Sequence, residues 1–239
     1  MKVAPNVIFL FKDADGCGTA IADALQPNPN STLKRLEDSF ELSLECYGIK
    51  DRKASGNIVH FVDDNGLFQV SVLLLQIYDP PILACAINEV LASIAAENLS
   101  TMPTIVSPFI VTASKLKLEN GSRVINNQVS LYGTQVGPET DIMQAISSKI
   151  QKPPSSLRIH HEPLACFLQL VRALKMPTYF LIGQAGQRLS HKTSGEEVIC
   201  EIGELLASTL SLCFIRESIT WNPTKTTRNN EEPWRALYG

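Results

Sequence analysis

Several short groupings in the 239-residue sequence carry side chains that could do chemistry. Gly16-Cys17-Gly18 follows an apolar run, where a glycine turn can bring main-chain amides against a phosphate. A nucleotide fingerprint needs a third glycine, and position 21 is Ile21. Cys17 on the same turn would need a base to act as a nucleophile, and no histidine lies at a family spacing from it. His160-His161-Glu162 invites a metal or acid–base reading, but adjacent side chains entering a helix diverge rather than converge on one ion. Asp63 and Asp64 are likewise neighbours, whereas catalytic carboxylates face each other across a substrate. Ser107 before Pro108 and Ser190 beside His191 lack the frame of a nucleophile elbow. These residues predict no catalytic group, no metal ligand and no cofactor site.

The elements that would position such groups belong to one α/β domain. Val7–Lys12 is a continuous apolar run, read as a strand, that opens into the glycine turn beyond Lys12. Leu33, Leu36, Phe40 and Leu44 recur at helical spacing and predict a helix over Ser31–Glu45. Asn57–Val62 and Leu67–Tyr78 flank Asp63-Asp64-Asn65-Gly66, a tight hairpin turn, and the second arm is apolar enough for the middle of a sheet. Asp79-Pro80-Pro81 predicts a capped helix start, followed by the stripe Leu83, Ile87, Val90, Leu91 and Ile94. Met102–Ala113 reads as a strand that Pro103 and Pro108 push towards an edge or a bulge. Val124–Gln135 is a weaker strand. A helix after His160-His161-Glu162-Pro163, with Leu164, Phe167, Leu168, Val171 and Leu174 on one face and ended by Met176-Pro177, the buried strand Thr178–Gly183, and a last helix capped at Ser194-Gly-Glu-Glu197 and ending near Arg216 complete the pattern.

Bulk properties fit a folded intracellular protein. The chain is 44% hydrophobic and 19% charged with a mean hydropathy of +0.04, enough apolar material to order most of it. A net charge of -3 argues against a dedicated nucleic-acid or anionic-membrane binder, both of which need a basic face. The apolar run near Met1 is too short for a signal core or a membrane span. The six scattered cysteines read as reduced core thiols. A cytoplasmic location follows, with the nucleus open as a second compartment.

After Trp221 the composition changes to Pro, Thr, Asn and charge, so residues 1–220 read as one domain and 221–239 as a flexible docking tail. Its last residues are Leu237-Tyr238-Gly239, a hydrophobic residue, a tyrosine and a residue bearing the carboxylate. A mobile segment of this kind can insert where a domain cannot, its carboxylate pairing with a lysine and its apolar and phenolic groups filling a small pocket.

The run Ile159-His-His-Glu-Pro-Leu-Ala-Cys-Phe-Leu through Met176-Pro-Thr-Tyr-Phe-Leu-Ile-Gly, with Ser107-Pro108-Phe109 and the Leu237-Tyr238-Gly239 ending, resembles the proteasome assembly chaperone 1 family. That resemblance implies an α/β three-layer sandwich with a mixed central sheet, of nucleoside-phosphorylase-like topology without its active site. It also implies a heterodimer with a proteasome assembly chaperone 2-like protein. The pair would scaffold the α-ring of the 20S proteasome, with Leu237, Tyr238 and Gly239 docking between α subunits. Two other readings stay open: a small-molecule enzyme of phosphorylase or hydrolase type, built on the glycine turn, and a general adaptor for some other protein.

Overall fold

The computed structural model describes residues 1–97, 101–112, 115–118, 130–185 and 192–219. Strand β1 (Asn6–Lys12) lies in the middle of a seven-stranded sheet, between β5 (Phe68–Gln76) and β6 (Thr104–Thr112), and is parallel to both. Strand β10 (Thr178–Ala185) extends the parallel core beyond β6. Antiparallel strands close it on each side: β8 (Ser130–Val136) beyond β10, then β4 (Lys53–Val62) and β3 (Lys34–Ser43) beyond β5. The sheet is therefore mixed, with a parallel centre and antiparallel flanks.

Both faces of that centre are covered, which is why its strands are apolar throughout rather than alternating. Val7, Phe9 and Phe11 of β1 face helices α2 (Ile82–Glu97) and α4 (Glu162–Ala173), whose Ile87, Val90 and Phe167 are fully buried against them. Ile8 and Leu10 face the other way, towards α1 (Cys17–Ala24), α3 (Asp141–Ser147) and α5 (Lys192–Leu210). The result is the expected three-layer α/β sandwich. Short pairs, β2 (Leu25–Pro27) with β11 (Leu212–Phe214) and β7 (Leu116–Leu118) with β9 (Leu157–Ile159), tie the periphery together.

Three local expectations are corrected. Ser31–Glu45 is not helical: it contains β3, which pairs with β4 from Lys34–Val62 to Ser43–Lys53. Leu36, Phe40 and Leu42 satisfy a two-residue period as well as Leu36 and Phe40 satisfy a helical one, and the ladder with β4 decides between them. The strand around Pro108 is central rather than an edge. The β1–β6 ladder ends at Ile8–Val106, and beyond it the Ser107 hydroxyl donates to the Phe9 carbonyl at 2.9 Å, so the missing amide of Pro108 leaves that carbonyl satisfied. The last helix begins at Lys192, ahead of Ser194, and stops at Leu210; β11 and a short 3-10 turn at Arg216–Ser218 follow.

Candidate functional site

In a sheet of this kind, ligands enter outside the carboxyl ends of the parallel strands. Here β1 runs directly into the glycine turn and then into α1, where the sequence pattern predicts only the turn. Gly16 adopts φ 75°, and a Cβ at Gly18 would collide with the Phe11 carbonyl, so the turn does require its glycines. The amides of Cys17 and Gly18, which would meet a phosphate, instead donate to Asp13 Oδ1 and Oδ2 at 3.0 and 3.3 Å. Burial pushes the Asp13 carboxyl up, and the amides of Cys17 and Gly18 pull it back. The helix terminus thus carries its own anion. Cys17 is buried at the start of α1.

On the sheet face towards α2 and α4, aromatic rings pack together in the core. Phe109 of β6 lies 5.5 Å from Phe11 and 6.2 Å from Phe180, and Phe167 of α4 stands 4.6 Å from Phe9. His161 closes the group, its ring edge-on to Phe109 at 5.6 Å. Its Nδ1 accepts the Leu164 amide at 3.3 Å, making it the N-cap of α4. Burial first, and the nearby Lys115 ammonium second, hold the imidazole down to about 4, so it is a neutral acceptor. His160 is exposed and donates its main-chain amide to the Lys115 carbonyl at 2.8 Å. The two histidines therefore do not share a ligand. This is an aromatic core cluster with a capping imidazole, and its chemistry is packing.

The other sequence candidates resolve into structure in the same way. Asp63 Oδ1 accepts the amides of Asn65 and Leu67 and Oδ2 accepts Gln69 Nε2, fixing the hairpin turn with Gly66 at φ 77°. Those bonds, the Leu67 amide foremost, lower its carboxyl. Asp64 pairs with Lys34 at 3.3 Å on the surface. Asp79 receives the Leu83 amide on its main-chain carbonyl. Of the six cysteines, none of which is in a disulfide, Cys46 is exposed rather than in the core. Among the described residues no group of His, Cys, Asp and Glu could hold a metal ion. No helix among them is long and apolar enough to cross a membrane.

One buried polar pair had no sequence signal. His60 Nδ1 and Ser71 Oγ lie 2.8 Å apart across β4 and β5, and the same Oγ accepts the Ala4 amide at 2.8 Å. Burial lowers the ionisation of His60 and so favours its neutral form. Its ring stacks on Phe68 at 4.1 Å. Both residues sit inside strands whose pattern announces only a core, so nothing in the spacing points to the pair. Ser190, His191 and Leu237, Tyr238 and Gly239, which the sequence predicts to dock, lie outside the described residues.

Residues 1–239 match the family model of a domain of unknown function, DUF7894. No curated protein matches the chain. Among solved structures it is similar to Rv2714 of Mycobacterium tuberculosis, a protein of unknown function, at 14% identity and a TM-score of 0.54, over 91% of this chain and 72% of that one. It is similar to PbaB of Pyrococcus furiosus, an archaeal proteasome activator, at 10% identity and a TM-score of 0.54, over 92% and 89%. It is also similar to Rv2125 of Mycobacterium tuberculosis, a proteasome-assembly chaperone homologue, at 11% identity and a TM-score of 0.51, over 89% of each chain. At these identities the likeness is one of fold.

Proposed function

The chain belongs to the DUF7894 family, and we propose that it is a proteasome assembly chaperone that grips α subunits with a C-terminal tail. The observation that carries this reading is a conjunction. A fold like that of an archaeal proteasome activator and of an assembly-chaperone homologue is joined to the sequence Leu237-Tyr238-Gly239.

In this reading the folded body spreads over the α-ring of the 20S particle while Leu237 and Tyr238 enter a pocket between adjacent subunits and the carboxylate of Gly239 meets a lysine. Ordering a flexible tail costs roughly 0.5 to 1.5 kcal/mol per side chain, so three residues bind weakly alone. A second tail on a sister chaperone, the heterodimer partner the sequence resemblance implies, raises the effective concentration of the first. The setting is the cytoplasm, and the nucleus wherever the particle assembles there.

Affinity purification tests the proposal by comparing the intact chain, a chain lacking Leu237–Gly239 and a chain with one residue added after Gly239, with mass spectrometry of what co-purifies. Proteasome α subunits and a sister chaperone should appear with the intact chain, and both altered chains should lose the α subunits. Equal recovery of α subunits by all three would remove the tail from the mechanism, and their absence from the intact sample would end the proteasome reading.

A further inference from the structure

Three of the six cysteines stand on the sheet face that carries α2 and α4: Cys46, whose thiol donates to Glu89 of α2, then Cys85 of α2 and Cys166 of α4. The last two form a pair. Helix α2 joins β5 to β6 and α4 leads into β10, and these strands are parallel, so both helices start beyond the carboxyl ends of the strands and run back alongside them. They pack side by side, with Cα atoms of one coming within 8 Å of Cα atoms of the other. Cys85 is the fourth residue of α2 and Cys166 the fifth of α4, which sets both thiols near the helix starts, at the same end of the fold. Each is half-buried, and each packs on the same apolar cluster.

Their charges also meet. Burial foremost, then the Glu162 carboxylate, then the charge of Cys85 push the Cys166 thiol up. The remaining thiols are placed differently. Cys17 and Cys200 lie in α1 and α5 on the opposite face, each 8% exposed and closed to a dissolved oxidant, and Cys213 lies on that face too, in β11. Cys46 is held by Glu89, whose Oε2 accepts its thiol at 3.6 Å one helical turn beyond Cys85. Two half-exposed thiols at the same end of neighbouring helices are the arrangement that oxidation can join.

We propose that the seam between α2 and α4 is a redox-sensitive joint, in which a low-molecular-weight disulfide such as glutathione disulfide oxidises Cys85 and Cys166 to a bond that links the helices. One protein thiolate attacks a sulfur of the small disulfide, so that a mixed disulfide forms and one glutathione thiolate leaves. The other protein thiolate then attacks the protein sulfur of that mixed disulfide and expels the second glutathione. Two protein thiols give up two electrons and two protons, and one glutathione disulfide takes them up as two thiols. Bonding fixes the two Cα atoms about 4.4 to 6.8 Å apart, so oxidation locks a helix spacing that the reduced chain leaves to packing. The bond is half-exposed and stays open to dissolved thiols, which makes the joint reversible. The inference does not depend on the proteasome reading, because it concerns the purified chain alone.

The full chain at about 5 µM, held at about pH 8 in glutathione buffers of graded oxidised-to-reduced ratio, tests it. Non-reducing peptide mapping should recover Cys85 linked to Cys166 within one chain, with Cys46 outside the bond, and dithiothreitol should return both thiols. The linked chain should melt about 5 °C or more above the reduced one. Cys85→Ser and Cys166→Ser should each lose the link and the shift, while a single melting transition in reductant shows that each variant is folded. Thiols that stay free at the most oxidising ratio overturn the proposal, and so do separate glutathione adducts on Cys85 and Cys166 with no link between them. A bond from Cys46 to Cys85, a bond only between two chains, or a melting shift that survives in either variant overturns it as well.

Discussion

His161 shows how a residue that looks chemical can be structural. Its Nδ1 can accept the Leu164 amide only when the ring is unprotonated, and burial keeps the ring so, with its ionisation lowered to about 4. An unfolded histidine takes up its proton near pH 6.5, so between that value and about 4 the unfolded chain holds more protons than the folded one. The stability this residue contributes is therefore complete above pH 6.5 and is lost as the pH falls towards 4. Full burial would make that loss roughly 3 kcal/mol, and the partly exposed ring reduces it to about 1 to 2 kcal/mol. His60 acts in the same direction, since burial lowers its ionisation too, whereas Asp13, whose carboxyl is raised, acts in the opposite one. Asparagine caps helices well and does not titrate. His161→Asn should therefore melt close to wild type at pH 7.5 and lose less stability than wild type on moving to pH 5. Identical pH dependence in the two proteins would show that His161 is not the titrating group. From the sequence, the divergence of His160 and His161 was legible because neighbours on a chain cannot converge; the Ser71–His60 pair was not, because its two residues meet only through strand pairing.

At the scale of elements, what sequence could show depended on whether local pattern and tertiary pairing agreed. The hairpin around Asp63-Asp64-Asn65-Gly66 was legible because its turn is built from its own side chains. Helices α2 and α4 were legible because an apolar stripe must face the sheet whatever the topology. Strand β3 was misread because Leu36 and Phe40 are four apart and serve either period, and only the neighbouring β4 decides. The short α1 escaped because its cap, Asp13, lies four residues before its first turn and acts through a glycine loop. Strand β6 was misplaced because its proline argued for an edge, while its remedy is a hydroxyl that no propensity scale associates with a proline. That remedy gives a direct prediction. Ser107 is fully buried, and Ser107→Ala would leave the Phe9 carbonyl buried without its donor, at a cost of about 1 to 3 kcal/mol. Chemical denaturation measures it, and a loss under about 0.5 kcal/mol would mean that the Phe9 carbonyl has another donor.

At the scale of the molecule, the sequence composition made a two-faced α/β sheet legible, because only strands covered on both sides are apolar throughout. The strand order was not legible, since it depends on which connections cross the sheet and leaves no local mark. The division of labour we propose, a rigid body in residues 1–220 and a docking segment in 221–239, rests on composition and carries its own test. The two apolar clusters on either side of the sheet are built by strands and helices between Val3 and Leu212, with Ile219 at their margin. Deleting residues 221–239 should then leave the melting temperature within about 2 °C of the intact chain, since a segment outside the core contributes little to the unfolding enthalpy. The same deletion should abolish recovery of proteasome α subunits. A fall of more than about 5 °C would mean that the segment packs on the body, for a change of that size corresponds to an interaction of roughly 1 to 2 kcal/mol in a chain of this length. Docking would then have to begin by releasing it, and a tail held down in the free protein would bind its ring more weakly than a loose one by the same free energy.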